Sequence, residues 1–279
     1  MGVLAFLNSW GENLRNNSGT NGGGGLLESI LPGQSSPQTD TSNSSEEGSS
    51  QNSPQTNSSY NDFGPVGSLN HEYLQGGKAS SLVVEIDYVT DTPPNDAARS
   101  TLLSTIREYS NKTGGVTTSG ANSFAATKSS YTNEDIASLI NTHRGNYSQG
   151  STATLYVLYL NGSYAGNENA LGLAFNASTF VIFKDRINAA TTALVFANEI
   201  ERAVLVHELG HLWGLVNINY ESEVDHEDDE HPNHSSNRNS VMYWAVEDVS
   251  VANVLRGGPP YQFDSADEAD IAKIRSGEY

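Results

Sequence analysis

The chain has 279 residues, with 33 acidic against 14 basic side chains and a formal charge of −19. Such a balance repels nucleic acid and anionic membrane surfaces, so polyanions are not expected partners. Cysteine is absent, which excludes disulfides and thiol catalysis and removes the usual redox clue to compartment.

Residues 1–10 form a short apolar run with no basic segment ahead of it and no obvious cleavage site, and no stretch of the chain reaches the length of a membrane span. From about Asn16 to Lys78 the chain is dominated by Gly, Ser, Asn, Thr, Gln and Pro. So few apolar residues cannot offset the entropy of ordering, and residues 1–79 are expected to be a disordered low-complexity segment, read as a stalk or pro-segment. Asn-x-Ser/Thr sequons begin at Asn16, Asn43, Asn57, Asn111, Asn146, Asn161, Asn176 and Asn233, a pattern compatible with a secreted, glycosylatable chain.

From Ser80 the pattern changes to one domain, residues 80–279, long enough for a single core. Residues 81–88 read as a strand. Residues 94–111 read as a helix with Ala97, Leu102, Leu103 and Ile106 on one stripe and Gly114 beyond it. A second helix is predicted over residues 132–143, carrying Ile136, Leu139 and Ile140. Residues 152–160 and 174–184 are β-rich runs separated by Gly-containing turns. Asn198 and Glu201 then form a capping string ahead of Ile200, Ala203, Val204 and Leu205, the apolar positions of a buried helix. Near the end of the chain, Ser265 and Glu268 make a second capping string, which predicts a final helix of about three turns.

The buried helix runs into His207-Glu208-Leu209-Gly210-His211. Residues four apart on a helix lie one above the other, so two imidazoles converge on one ion while Glu208 is offset by one position. Two neutral imidazoles and a nearby carboxylate base form the arrangement by which zinc makes water nucleophilic near neutral pH. Gly214 follows, where the helix can end in the left-handed conformation and reverse, bringing a third ligand back.

The string HELGHLWGLVN, with Ser240-Val241-Met242-Tyr243 after it, resembles the metzincin metalloproteases, whose motif HExxHxxGxxH (or xxD) is followed by a methionine-containing turn. Asn217 stands where that family has its third ligand, and an amide oxygen is a poor zinc ligand beside imidazole or carboxylate. A second register resembles the archaemetzincin string HCxxxxCxM: His234 to Met242 matches it with Ser235 and Ser240 in place of both cysteines. Counting back from Met242 makes His234 the third ligand and residues 218–233 an insertion, with His226 and His231 as the alternatives.

The resemblance implies an α+β, zincin-like domain: a mixed, mostly parallel sheet, an active-site helix and a small C-terminal subdomain ending in a helix. It further implies a secreted, monomeric zinc endopeptidase acting on peptide or protein chains, with one zinc held by His207, His211 and His234 and with Glu208 as general base. Met242 would pack beneath the ligands. The tyrosine that assists zinc in some metzincins lies two residues after the methionine, where this chain has Trp244. A zinc-bound but catalytically silent surface or binding module is the alternative function. The acidic residues 221–230 read as a solvated loop, with a calcium site as the sharper alternative although the spacing is not that of an EF-hand.

Overall fold

The computed structural model describes residues 60–126, 128–248 and 258–279. Its centre is β4 (Thr152–Leu160), a run of β-branched and aromatic residues buried at all but its first position. Burial on both faces is what a central parallel strand requires. Strand β1 (Ser81–Val89) pairs with it in parallel from Ser81 opposite Thr152, and β2 (Gly115–Phe124) extends the sheet on the far side of β1. On the other side β7 (Thr179–Phe183) pairs in parallel with β4, and β6 (Gly172–Asn176) closes the edge antiparallel to β7. The order is β2-β1-β4-β7-β6, with a separate two-stranded pair of β3 (Ser130–Tyr131) and β5 (Ser163–Tyr164). This is a mixed α/β fold on a mostly parallel sheet.

Alternate residues of β4 serve two cores. Leu155, Val157 and Tyr159 join one cluster with Leu102 and Ile106 of α2 (Asp96–Tyr109) and with Val204 and Leu205 of α5 (Ala197–Leu212). Tyr156, Leu158 and Leu160 join the other with Ile136 and Ile140 of α3 (Asn133–His143). The short helix α4 (Lys184–Ala189) leads from β7 toward α5, and α6 (Ser265–Ser276) places Ile271 and Ile274 in the first cluster. The expected small C-terminal subdomain is therefore continuous with the main core.

Residues 60–79, expected to belong to the disordered stalk, are instead packed. Tyr60, Val66, Leu69, Tyr73 and Leu74 lie in the first core, the last two on the five-residue helix α1 (Asn70–Leu74). The Tyr73 hydroxyl donates toward the Thr154 and Ala177 carbonyls, 3.2 Å from each. The Lys112 ammonium ties this segment down by donating to the carbonyls of Glu72, Gln75 and Ala79, the last at 2.7 Å. The ordered domain thus begins no later than Tyr60, and residues 1–59 of the expected stalk lie outside the described residues.

Other boundaries shift for local reasons. The β-rich run 174–184 is a hairpin, turning at Ala177 and Ser178 with the Ser178 N–H on the Asn176 side chain at 3.0 Å. Helix α5 starts at Ala197, before the expected cap Asn198, and Glu199 closes its first turn by accepting the Phe196 N–H at 2.9 Å. Glu201, the expected capping partner, is buried instead: it ion-pairs with Lys184 and accepts the Tyr159 hydroxyl at 3.0 Å and the Asn95 N–H at 2.7 Å. That anchors α5 to α4, β4 and the start of α2. At α6 the cap is Asp264 rather than Ser265, with Asp267 closing the box, while Glu268 accepts the Tyr109 hydroxyl at 2.7 Å.

Candidate metal centre

Every residue of α5 from Ala203 to Leu212 is buried, so the helical spacing of His207 and His211 is turned into the interior. Their rings lie 4.6 Å apart at 83°, and their Nε2 atoms are 3.0 Å apart. Two nitrogens sharing a tetrahedral zinc at about 2.0–2.1 Å would lie roughly 3.3 Å apart.

The helix ends at Leu212, and Gly214, two residues on, has a φ of +80°, the left-handed conformation. Val216 and Asn217 follow with φ of +55° and +65°, completing a reversal. The chain returns at His234, on a segment held by backbone pairing: the Asp228 N–H reaches the His234 carbonyl and the Ser235 N–H the Met242 carbonyl, both at 2.8 Å. Ser235 and Ser240, at the two positions of the cysteine register, are fully buried within this paired segment. The His234 ring lies 5.2 Å from that of His207 and 4.9 Å from that of His211.

A fourth group completes the cluster. Glu247, on a 3-10 turn (Trp244–Glu247), has its carboxylate 3.6 Å from His207 Nε2 and 3.4 Å from His234 Nε2. One ligand atom from each of His207, His211, His234 and Glu247 lies within 4.8 Å of all the others. Sequence reasoning missed Glu247, and no spacing rule after Met242 points to it.

Hydrogen bonds orient two of the rings. His207 Nδ1 lies 2.7 Å from the Val241 carbonyl and His234 Nδ1 3.1 Å from that of Pro232, which assigns the proton to Nδ1 and leaves the Nε2 lone pairs facing the cluster. Both oxygens of Glu208 are buried without a well-formed hydrogen bond, the Ala174 N–H exerting only a weak pull on the carboxyl, and His234 Nε2 has the Glu247 carboxylate at 3.4 Å as its neighbour. Burial, reinforced by the charge of Glu247, pushes the Glu208 carboxyl well above the usual range. Burial also pushes the His211 imidazole well below its ordinary value, helped by His207 and His234. At Glu247 burial pulls upward, but the His234 and His207 imidazoles outweigh it and hold that carboxyl well below the ordinary value. Three imidazole nitrogens and a carboxylate oxygen form a donor set that suits zinc.

The remaining candidates lie elsewhere. Asn217 uses both ends of its amide locally, donating to Glu227 at 2.6 Å and accepting the Ser222 N–H at 2.8 Å. His231 stacks on Trp244 at 4.0 Å and pairs with Asp228 at 2.9 Å. His226 is buried in a different group, beside Asp264 and Asp267. Within the acidic insertion, Glu227 accepts from Asn217 and Asn233, and Asp228 from the Glu230 and His231 N–H groups. Met242 is fully buried and packs against Gly210, where an added Cβ would meet its sulfur at 2.3 Å.

No family model and no curated protein matches the sequence. Among solved structures, archaemetzincin from Methanopyrus kandleri is similar to 71% of this chain and 97% of its own, with a TM-score of 0.46 and 15% identity. No helix among the described residues is long and apolar enough to cross a membrane.

Proposed function

We propose that this protein is a zinc-dependent endopeptidase that hydrolyses peptide bonds with Glu208 as general base. The observation that carries the reading is the pairing of three inward-facing imidazoles with a buried carboxylate whose two oxygens make no well-formed hydrogen bond. An unpaired buried carboxylate is costly, and a purely structural metal site has no use for one. His207, His211 and His234 would hold the metal. When bound, zinc supplies Lewis acidity, polarising a scissile carbonyl and lowering the pKa of water toward neutrality. Glu208 accepts the proton of the attacking water on its carboxylate and returns it to the nitrogen of the leaving amine. Val204 of α5 and Gly172 of β6 pack at the Glu208 carboxylate, which is fully buried. Peptide or protein chains as substrates, secretion and a monomeric state belong to the same proposal.

Glu247 favours a second reading. A fourth protein donor is the mark of a closed, structural zinc site, and a closed site would make the protein a metal-bound module without catalysis. Zinc content and peptide hydrolysis measured on the same Glu208→Ala protein decide between them. The peptidase reading expects activity against a peptide library in the wild type, lost in the variant with zinc retained. A wild type that holds zinc at this cluster and cleaves nothing supports the closed module.

A further inference from the structure

We propose a second cation site, independent of the peptidase reading, where the insertion meets the last helix: His226, Asp264 and Asp267 bind a transition-metal dication of zinc's class, and Asp270 orients the imidazole. His226 is 6% exposed, Asp267 0% and Asp270 2%. His226 Nε2 lies 3.0 Å from Asp270 Oδ2, an oxygen that also accepts the Ser222 hydroxyl at 2.7 Å. That contact places a ring proton on Nε2 and makes Nδ1 the nitrogen that can turn its lone pair to an ion, the carboxylate–histidine arrangement that orients metal ligands.

What Nδ1 faces is the deciding observation. Asp267 Oδ1 lies 3.7 Å away, and both atoms are buried without a hydrogen-bond partner. The gap is too long for a hydrogen bond but close to the separation of two ligands that share one ion at about 2.0–2.2 Å each. The other Asp267 oxygen is already committed, accepting the Ser240 hydroxyl and the Asp264 N–H. Asp264 completes the set: one ligand atom from each of His226, Asp264 and Asp267 lies within 4.8 Å of the others. Asp264 is only partly buried, which gives an ion a route in from solvent.

The ligand types select the ion. Calcium and magnesium take oxygen donors in sets of six or more, whereas one imidazole with two carboxylates suits zinc or a neighbouring transition metal, with water in the remaining position. The start of α6 lies here and would repel a cation, but Asp264 and Asp267 supply two negative charges against the partial positive charge of the helix end. Binding would join three parts of the chain: the insertion through His226, the turn at Ser240 through Asp267, and α6. Ser236, two residues from His234, donates its N–H to the His226 carbonyl at 2.8 Å, so the site braces the segment that carries His234.

The test uses the full chain, stripped of metal with a chelator and reloaded with zinc alone, with bound metal measured by elemental analysis after desalting. Two equivalents are expected in the wild type, and one each in His226→Gln and in the double variant His207→Ala/His211→Ala. Zinc should raise the melting temperature of that double variant but not of the triple variant that adds His226→Gln. Asp270→Asn should weaken the second equivalent by about 10–100-fold while leaving the first unchanged. If His226→Gln fails to fold, Asp264→Asn, which keeps a capping side chain, should still lose the second equivalent. A wild type with one equivalent that disappears in His207→Ala/His211→Ala overturns this site and leaves the first centre standing. Two equivalents that survive His226→Gln or Asp264→Asn overturn it as well. A wild type that holds both equivalents and cleaves no peptide would overturn the peptidase reading instead and leave this site standing.

Discussion

Gly172 lies directly against the carboxylate of Glu208: a Cβ at residue 172 would stand 2.4 Å from Glu208 Oε1 and 2.8 Å from its Cδ, with Val204 Cγ1 at 2.7 Å. Glu208 therefore fits only because the edge strand β6 begins with a residue that has no side chain. Gly172→Ala should displace the carboxylate while the three imidazoles stay in place. The expected result is normal zinc content with peptide hydrolysis reduced by about a hundredfold, the scale on which a misplacement of about 1 Å acts. Wild-type turnover in this variant would show that Glu208 does its work from some other position.

Replacing the Glu208 carboxyl with an amide should have opposite effects on stability and activity. The carboxyl is buried and makes no well-formed hydrogen bond, so Glu208→Gln should leave the metal-free protein as stable as the wild type or raise its melting temperature. Hydrolysis should fall by roughly a factor of a hundred or more, as expected for loss of a general base. A thermal melt and a turnover assay on one preparation check both. Destabilisation of the metal-free variant would mean that Glu208 has a structural partner.

Glu247→Gln separates an open zinc centre from a closed one. In a peptidase the fourth position belongs to water and substrate, so the variant should keep its zinc at this centre and cleave at least as fast as the wild type. Zinc affinity measured against a chelator of known strength reports the difference. A large loss of affinity would make Glu247 a true ligand and favour the silent module.

The third imidazole can be tested by substitution at each alternative. His234→Ala should reduce zinc affinity at the first centre severely. Asn217→Ala and His231→Ala should change it little, because Asn217 bonds to Glu227 and Ser222 and His231 stacks on Trp244. Metal retained at full affinity in His234→Ala would remove that residue from the site.

Lys112 tests whether the segment before residue 80 belongs to the domain. Lys112→Met would leave the Glu72, Gln75 and Ala79 carbonyls without their charged donor, at a cost of about 1.5–3 kcal/mol. Urea unfolding should show the lower midpoint with an unchanged slope. No shift would mean that these carbonyls are satisfied by solvent.

Local patterns were legible in the sequence, and contacts made by irregular chain were not. The placing of His207, Glu208 and His211 on one buried helix follows from a spacing of four, and β4 follows from an unbroken β-branched and aromatic run. His234 could be found by counting back from Met242, because a short paired segment separates them. Glu247 could not: its approach depends on a 3-10 turn and on where β6 and the insertion allow that turn to rest. Strand β2 was invisible because it is a largely exposed edge strand of Ser, Thr, Gly and Asn, held by backbone pairing to β1 rather than by an apolar face. Residues 60–79 hid a part of the core because Val66, Leu69 and Tyr73 keep helical spacing over only about two turns, amid Gly, Ser and Asn, and the helix there is five residues long.

The donors of the first centre come from two pieces of chain, one rigid and one delivered. His207 and His211 are fixed to α5, which Glu201 fastens to three neighbouring elements, whereas His234 and Glu247 arrive only after the loop that leaves Gly214. Lengthening such a loop costs little, since its closure entropy grows only with the logarithm of its length. The stretch 218–233 can therefore lengthen at its exposed positions without moving the histidines, so long as the reversal at Gly214, the pairing of Ser235 with Met242, and the bonds from Asp228 to the His234 carbonyl and from Ser236 to the His226 carbonyl survive. Glu208 and two of the imidazoles are thus set by one helix, while the place of the third imidazole depends on how the returning chain is held.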